Sequence, residues 1–178
     1  MSLRTELRTA TAGDHERLDA TFATFDLADA AAYRAFLRAH ARALAPIEQA
    51  IAGSGATAGW RPRAPLLADD LAALGTPPPP PLPLDRPDEA ALWGMRYVVE
   101  GSRLGGALLA RQVGAGLPAA YLGAQHAKGE WRGFLDALEA AGEAGGAAWR
   151  AEAIAGARRA FHLFAASVAE EKAPDERR

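Results

Sequence analysis

LRTATAGDHERLD, Leu7 to Asp19, has the spacing of one face of an α-helix. Residues three, four and seven apart share a face, so Leu7, Thr11, His15, Leu18 and Phe22 form a single stripe. The stripe predicts His15 pointing into the protein, where an imidazole without a partner costs about 1–3 kcal/mol. Asp19, one turn on, supplies the partner: a carboxylate accepting from one ring nitrogen leaves the other free for a metal. Arg8, two turns before His15 on nearly the same face, adds a cation that can meet an anion roughly 10 Å from the imidazole.

A second stretch, YVVEGSRLGGALL from Tyr97 to Leu109, sets Gly101, Gly105 and Gly106 inside an apolar helical pattern. Each glycine there costs about 1 kcal/mol relative to alanine. The chain is rich in alanine, so smallness alone does not explain them. Gly101 and Gly105 lie one turn apart on one face, which allows close backbone approach or a bend. Two helices packed tightly would use that face, and so would a flat ligand lying against bare backbone.

The 178 residues suit a single domain, here taken as 1–171 with 172–178 as a flexible tail, and about 70% of the unfolded chain's surface can be buried at this length. Hydrophobic residues make up 49%, charged residues 24% and the net charge is -2, which describes a globular protein and argues against nucleic acid as a partner. There is no cysteine, so disulfides, zinc knuckles and thiolate ligation of iron are excluded. No continuous apolar run long enough to span a membrane is present, and the cytoplasm is the expected location.

In chain order, Ser2 caps a first helix to Phe22, and Asp29 caps a second to about Ala52 with Pro46 as a kink. His40 lies on the second helix's apolar face and reads as a satisfied core histidine. Arg34, Arg38 and Arg42 recur every fourth residue, a solvated ladder or a basic stripe for an acidic electron donor. After a loop from Gly53 to Arg63, Pro65 opens a short helix stopped by Gly75. PPPPPLPL, Pro77 to Leu84, reads as a stiff polyproline connector rather than a recognition motif. Asp85 and Pro87 begin the glycine-bearing helix, which runs to about Val113. Tyr121 to Lys128 is loop or a brief turn holding His126. Trp131, Phe134, Leu135 and Leu138 define a further helix, and Gly145 and Gly146 separate it from a last one whose face includes Ile154, Phe161, Phe164 and Val168. No segment alternates with a two-residue period, so the class is all-α.

The paired stretches, with LLADDLAALG from Leu66 to Gly75 between them, resemble the heme oxygenase family, specifically its bacterial branch associated with bacteriophytochromes. The likeness covers roughly Leu3 to Val168. It implies a helical bundle with heme between a proximal N-terminal helix and a kinked glycine-rich distal helix. His15 matches the family's proximal iron ligand, and Tyr97 to Gly106 matches the distal helix. The implied heme contacts are Arg8, Thr11, His15, Asp19, Tyr97, Gly101, Gly105, Gly106, Arg132 and Phe161, with Gly101, Ser102 and Gly105 nearest the chemistry. Arg8 and Arg132, the latter in WRGF, are candidates for the propionates, and Arg96 and Tyr121 are weaker ones.

By the same resemblance heme b is both cofactor and substrate, cleaved with O2 and electrons from an external reductant to biliverdin, carbon monoxide and iron. A ferredoxin or reductase is the implied donor and a bacteriophytochrome an implied acceptor of biliverdin. Ser102 stands where the best-known members carry an aspartate that organises water, which puts the route of proton delivery in doubt and assigns Ser102 an indirect part. A carrier or sensor that binds heme without degrading it would share these residues. A di-iron centre would need glutamate three positions before a histidine, and none of His15, His40, His126 and His162 has one.

Overall fold

The computed structural model describes residues 1–54 and 59–172, and the described residues form six helices and no strand. They are α1 (Leu3–Phe22), α2 (Ala30–Ala52), α3 (Ala64–Ala73), α4 (Glu89–Ala110), α5 (Ala120–Gly123) and α6 (Glu130–Lys172). The Ser2 hydroxyl accepts from Thr5 N and the Asp29 carboxylate from Ala31 N and Ala32 N, so both expected caps form. The glycine-bearing helix starts later than Asp85 and Pro87 suggested: Asp88 caps it by accepting from Ala91 N, and it ends at Ala110 rather than Val113. Gly101, Gly105 and Gly106 lie within it, and none has positive φ. The anticipated break near Gly145 falls at Gly146 (φ 71°, ψ -165°), which interrupts α6.

The long α6 is the spine on which α1 and α4 both pack. Its crossing with α4 is close enough to exclude side chains. A Cβ at Gly94 would lie 1.7 Å from the Ala153 carbonyl oxygen, and one at Gly156 would lie 2.1 Å from that of Ala91. On the other side, Glu139 accepts from Leu3 N and Arg4 N at 2.8 Å each, capping α1 from α6. Farther along, Arg150 holds Glu6 through two nitrogens and Arg158 donates to Ala10 O. The buried cluster draws Leu3 and Leu7 from α1, Phe36 and Leu44 from α2, Leu67 and Leu71 from α3, Met95 and Val99 from α4, and Phe161 and Phe164 from α6.

The polyproline run is docked rather than free. Pro46 has no N–H to offer the Arg42 carbonyl one turn back, and that carbonyl accepts from Leu82 N at 2.9 Å instead. The Arg42 guanidinium donates in turn to Pro80 O. Two expectations are thereby corrected. Arg38 and Arg42 both pair with Glu171, so these two members of the α2 ladder are committed within the molecule. Lys172, assigned above to the tail, ends α6 and donates to Thr24 Oγ1 at 2.6 Å; the rest of that tail, 173–178, and 55–58 of the loop after α2 lie outside the described residues.

His40 is packed among Phe22, Phe36, Tyr121 and Phe164, with Nδ1 3.0 Å from Phe36 O. Burial lowers its pKa from 6.5 to about 4. Below pH 6.5 the unfolded chain therefore binds a proton that the folded chain refuses, and stability falls until the pH passes about 4. At about 1.4 kcal/mol per unit the loss between pH 7 and 5 is roughly 2 kcal/mol. Denaturant titrations of His40→Leu at those two pH values are expected to show a pH difference smaller by about that amount.

Candidate heme site

His15 and Asp19 make the pair expected of them, Nδ1 to Oδ2 at 3.1 Å. Donation of the Nδ1 proton to that carboxylate leaves the Nε2 lone pair available. Burial, however, is corrected: the side chains are 62% and 69% exposed. The neighbour that turns inward is Asp14, whose carboxylate is 10% exposed, 2.5 Å from Arg17 and within ion-pair distance of Arg158 and His162 on α6. Thr11 is buried and donates to Leu7 O. His15 stands at the open edge of the helix, its ring edge-on to Phe161 with centroids 5.8 Å apart.

On α4 the bare face is also open. Gly105 is exposed, and a Cβ there would meet nothing within 4 Å. Leu104 and Leu108, 55% and 62% exposed, are the exposed large apolar side chains among the described residues apart from Met1. Positions 101, 104, 105 and 108 share one helix face, so bare backbone and two solvent-facing leucines make a single apolar surface. Sequence reading noticed the glycines but missed the leucines, although the spacing that pairs Gly101 with Gly105 also selects them. Gly106 is corrected: it is buried, and its Cβ would lie 2.7 Å from Leu122 O, so the glycine there admits α5.

Tyr97, on α4, lies within electrostatic reach of α1. Burial pushes its phenol pKa up against the opposing pull of Arg4 and Arg8 from α1. Its ring lies 6.0 Å from that of Trp131, whose own edge is 3.7 Å from where a Gly101 Cβ would be. Arg132 is exposed and lines, with Ser2, Arg4, Trp131, Leu135 and the carboxylate-bearing Asp136 and Glu139, a recess of about 560 Å³ at the start of α1. Arg4 was not anticipated. Arg96 and Tyr121 do not belong here, since both are buried, Arg96 against Phe134 and Tyr121 against Arg63 and His40.

Behind the apolar face of α4 lies a buried polar layer. Glu48 accepts from Arg63 N and Ala64 N, capping α3, while the Arg63 guanidinium reaches α4 and donates to Val99 O at 2.8 Å and Ser102 Oγ at 2.5 Å. Ser102 itself donates to Val99 O at 2.7 Å. Its hydroxyl is thus engaged by protein partners, although the residue itself is exposed. Glu100 bonds Arg103 and, at 2.7 Å, His126 Nε2, and Arg103 donates to Arg61 O. Arg63 carried no sequence signal, because its partners are 36 and 39 residues away.

The heme oxygenase of Xanthomonas campestris pv. campestris (strain 8004) is 38% identical over 161 residues, 82% of this chain and 94% of that protein. The chain belongs to the heme oxygenase family. A heme oxygenase from Neisseria meningitidis, solved in NO- and CO-bound forms, matches in fold with a TM-score of 0.83 at 23% identity, over 96% of this chain and 92% of that one. No family model matches. The donor set suits a porphyrin of the kind these proteins are named for. Among the described residues no group of three or more His, Asp or Glu is gathered to hold a metal, so iron here would depend on one imidazole and on a macrocycle that brings its own nitrogens. No helix among the described residues is long and apolar enough to cross a membrane.

Proposed function

We propose that heme lies between His15 on α1 and the Gly101–Leu108 face of α4, and that the chain degrades it as the heme oxygenase of X. campestris is named for doing. The observation that carries this reading is the uncovered apolar face of bare backbone and two leucines on one of the helices packed along α6, with an oriented, exposed imidazole on the other. Bound heme supplies the oxygen chemistry, being both the group that activates O2 and the substrate opened to biliverdin, carbon monoxide and iron with electrons from an external reductant.

The side chains then have separable tasks. His15 Nε2 ligates iron while Asp19 holds Nδ1 and raises the imidazole's basicity. Phe161 braces the ring. Gly101 and Gly105 let the macrocycle approach the α4 backbone, and Leu104 and Leu108 exclude water from it. Arg8 and Arg132, joined by Arg4, meet the propionates, with Tyr97 between them and the glycines. Thr11 holds the α1 backbone under His15. Ser102 acts through Arg63, fixing α4 rather than handling protons. A ferredoxin or reductase provides electrons in the cytoplasm, and a bacteriophytochrome is a candidate acceptor of biliverdin.

Heme titration followed by addition of ascorbate or a ferredoxin system tests this: a Soret band forms and is then replaced by biliverdin absorption. A stable Soret band under reductant and O2 would instead describe a carrier. Gly105→Leu is expected to fold with stability equal to or up to about 1 kcal/mol above the parent, since a helical glycine is removed in open space. Its heme affinity should drop tenfold or more, a loss of at least about 1.4 kcal/mol, read by the same titration. Ser102→Ala should keep its turnover; a dead variant that still binds heme normally would give Ser102 a direct role.

A further inference from the structure

The chain has four tryptophans, and all of them gather in one patch beside the proposed heme face. Trp131 borders Gly101. Its ring stacks on Phe134 at 5.6 Å and 29°, and Phe134 stacks on Trp93 at 5.9 Å and 15°. Trp93 is 6.5 Å from Trp149, which is half-buried at the protein's boundary, while Tyr97 flanks Trp131 at 6.0 Å. Trp60 joins from the side through the Arg96 guanidinium, which lies over Trp60, Trp93 and Phe134. Leucine and alanine make up most of the buried core. In this cysteine-free chain indole and phenol are the side chains that most readily give up one electron, and here they run from the distal face to solvent with the Phe134 ring between Trp131 and Trp93.

We infer that Trp131, Trp93 and Trp149 form a one-electron relay that drains oxidising equivalents from the distal face to the surface. The source of those equivalents rests on the proposed heme site; the conduction path does not. A hydroperoxide at that face takes one electron from Trp131, its O–O bond breaking to leave hydroxide and an oxyl radical, and a second electron with a proton from water reduces the oxyl radical to the hydroxyl compound; each electron leaves an indole radical cation. Trp93 refills Trp131, and Trp149 refills Trp93. The radical at Trp149 loses its indole N–H proton to water, then regains one electron and one proton from an external enediol or thiol. The Arg96 guanidinium, lying over Trp93, makes it an unfavourable resting place for positive charge, and no cation lies over Trp131 or Trp149 among the cation–ring contacts of the described residues. The electron vacancy therefore passes through the middle and settles at an end. Such a relay protects a site that handles O2 next to easily oxidised side chains.

Because the chain has no cysteine, Leu104→Cys on the open face gives a unique attachment point for a ruthenium photo-oxidant. Flash oxidation of the labelled protein with a nitroso spin trap present, followed by peptide mass spectrometry, is expected to mark Trp149. Adding Trp93→Phe should abolish the Trp149 adduct and shift it to Trp131, and Trp149→Phe should likewise leave the adduct on Trp131. An adduct pattern that ignores Trp93→Phe, or absence of any Trp149 adduct in the parent, overturns the relay. A Trp93→Phe chain that misfolds, seen by circular dichroism, leaves Trp149→Phe to decide between the same outcomes. The heme arm repeats the mapping on heme-loaded protein with cumene hydroperoxide and should give the same adducts. Failure to form a Soret band there counts against the heme site while the photo-oxidant arm still reports on the relay.

Discussion

His15→Ala is expected to leave the fold intact and remove heme turnover. The side chain is 62% exposed and its hydrogen bond is to an equally exposed carboxylate, so its loss should change unfolding free energy by no more than about 0.5 kcal/mol. The nitrogen proposed to hold iron, by contrast, has no substitute. The nearest side-chain nitrogen on the same helix face, Arg8, is permanently charged, and His162 is turned toward Asp14. Heme added to the variant should give a spectrum without nitrogen ligation, and biliverdin should not form with ascorbate. Exogenous imidazole, which can occupy the space vacated by the side chain, should restore part of the ligation. Asp19→Ala should keep ligation but weaken heme binding by about 10- to 100-fold, as removal of an outer partner of a metal ligand usually does. A His15→Ala chain with unchanged spectrum and turnover would refute the site.

Gly94→Ala is expected to do the opposite, failing as a fold before it is tested as an enzyme. The added methyl would stand 1.7 Å from the Ala153 carbonyl oxygen and 2.8 Å from Ala157 N, both backbone atoms of α6 that cannot rotate away. Overpacking typically costs about 1–3 kcal/mol where side chains can give, and here helix α4 must move off α6 as a body. The expected outcome is a loss at the top of that range or beyond, read as a large fall in thermal midpoint or as insoluble expression. Alanine at Gly105 on the same helix should be tolerated, because no atom lies within 4 Å of its Cβ position. If the two substitutions had equal effects on stability, the close crossing described here would be wrong.

These two residues also show what could be read before the fold was seen. The His15–Asp19 pair and the Gly101–Gly105 face are local, one helical turn each, and the 3.6-residue period delivers them whatever the helix packs against. The direction of His15 is not local. Relative to Thr11, Asp14 lies about 60° to one side of the stripe and His15 about 40° to the other, and either could face the core. The anchors from α6 turn Asp14 inward and leave His15 at the edge. The same limit hid Gly94, which looked like any other small residue in an alanine-rich helix until Ala153 was found against it.

What the amino-acid order determined alone is therefore the helices other than the single turn of α5, the caps of α1 and α2, the imidazole–carboxylate pair and the glycine face, since each depends on neighbours within about one turn. Only tertiary structure decided which faces are covered. The docking of the polyproline segment on the carbonyl freed by Pro46, the reach of Arg63 into α4, the gathering of the tryptophans and the openness of both proposed heme-contacting surfaces all join residues distant in the chain. Such contacts are set by how α1 and α4 seat on α6, where a rotation smaller than the step between adjacent residues exchanges a buried side chain for an exposed one.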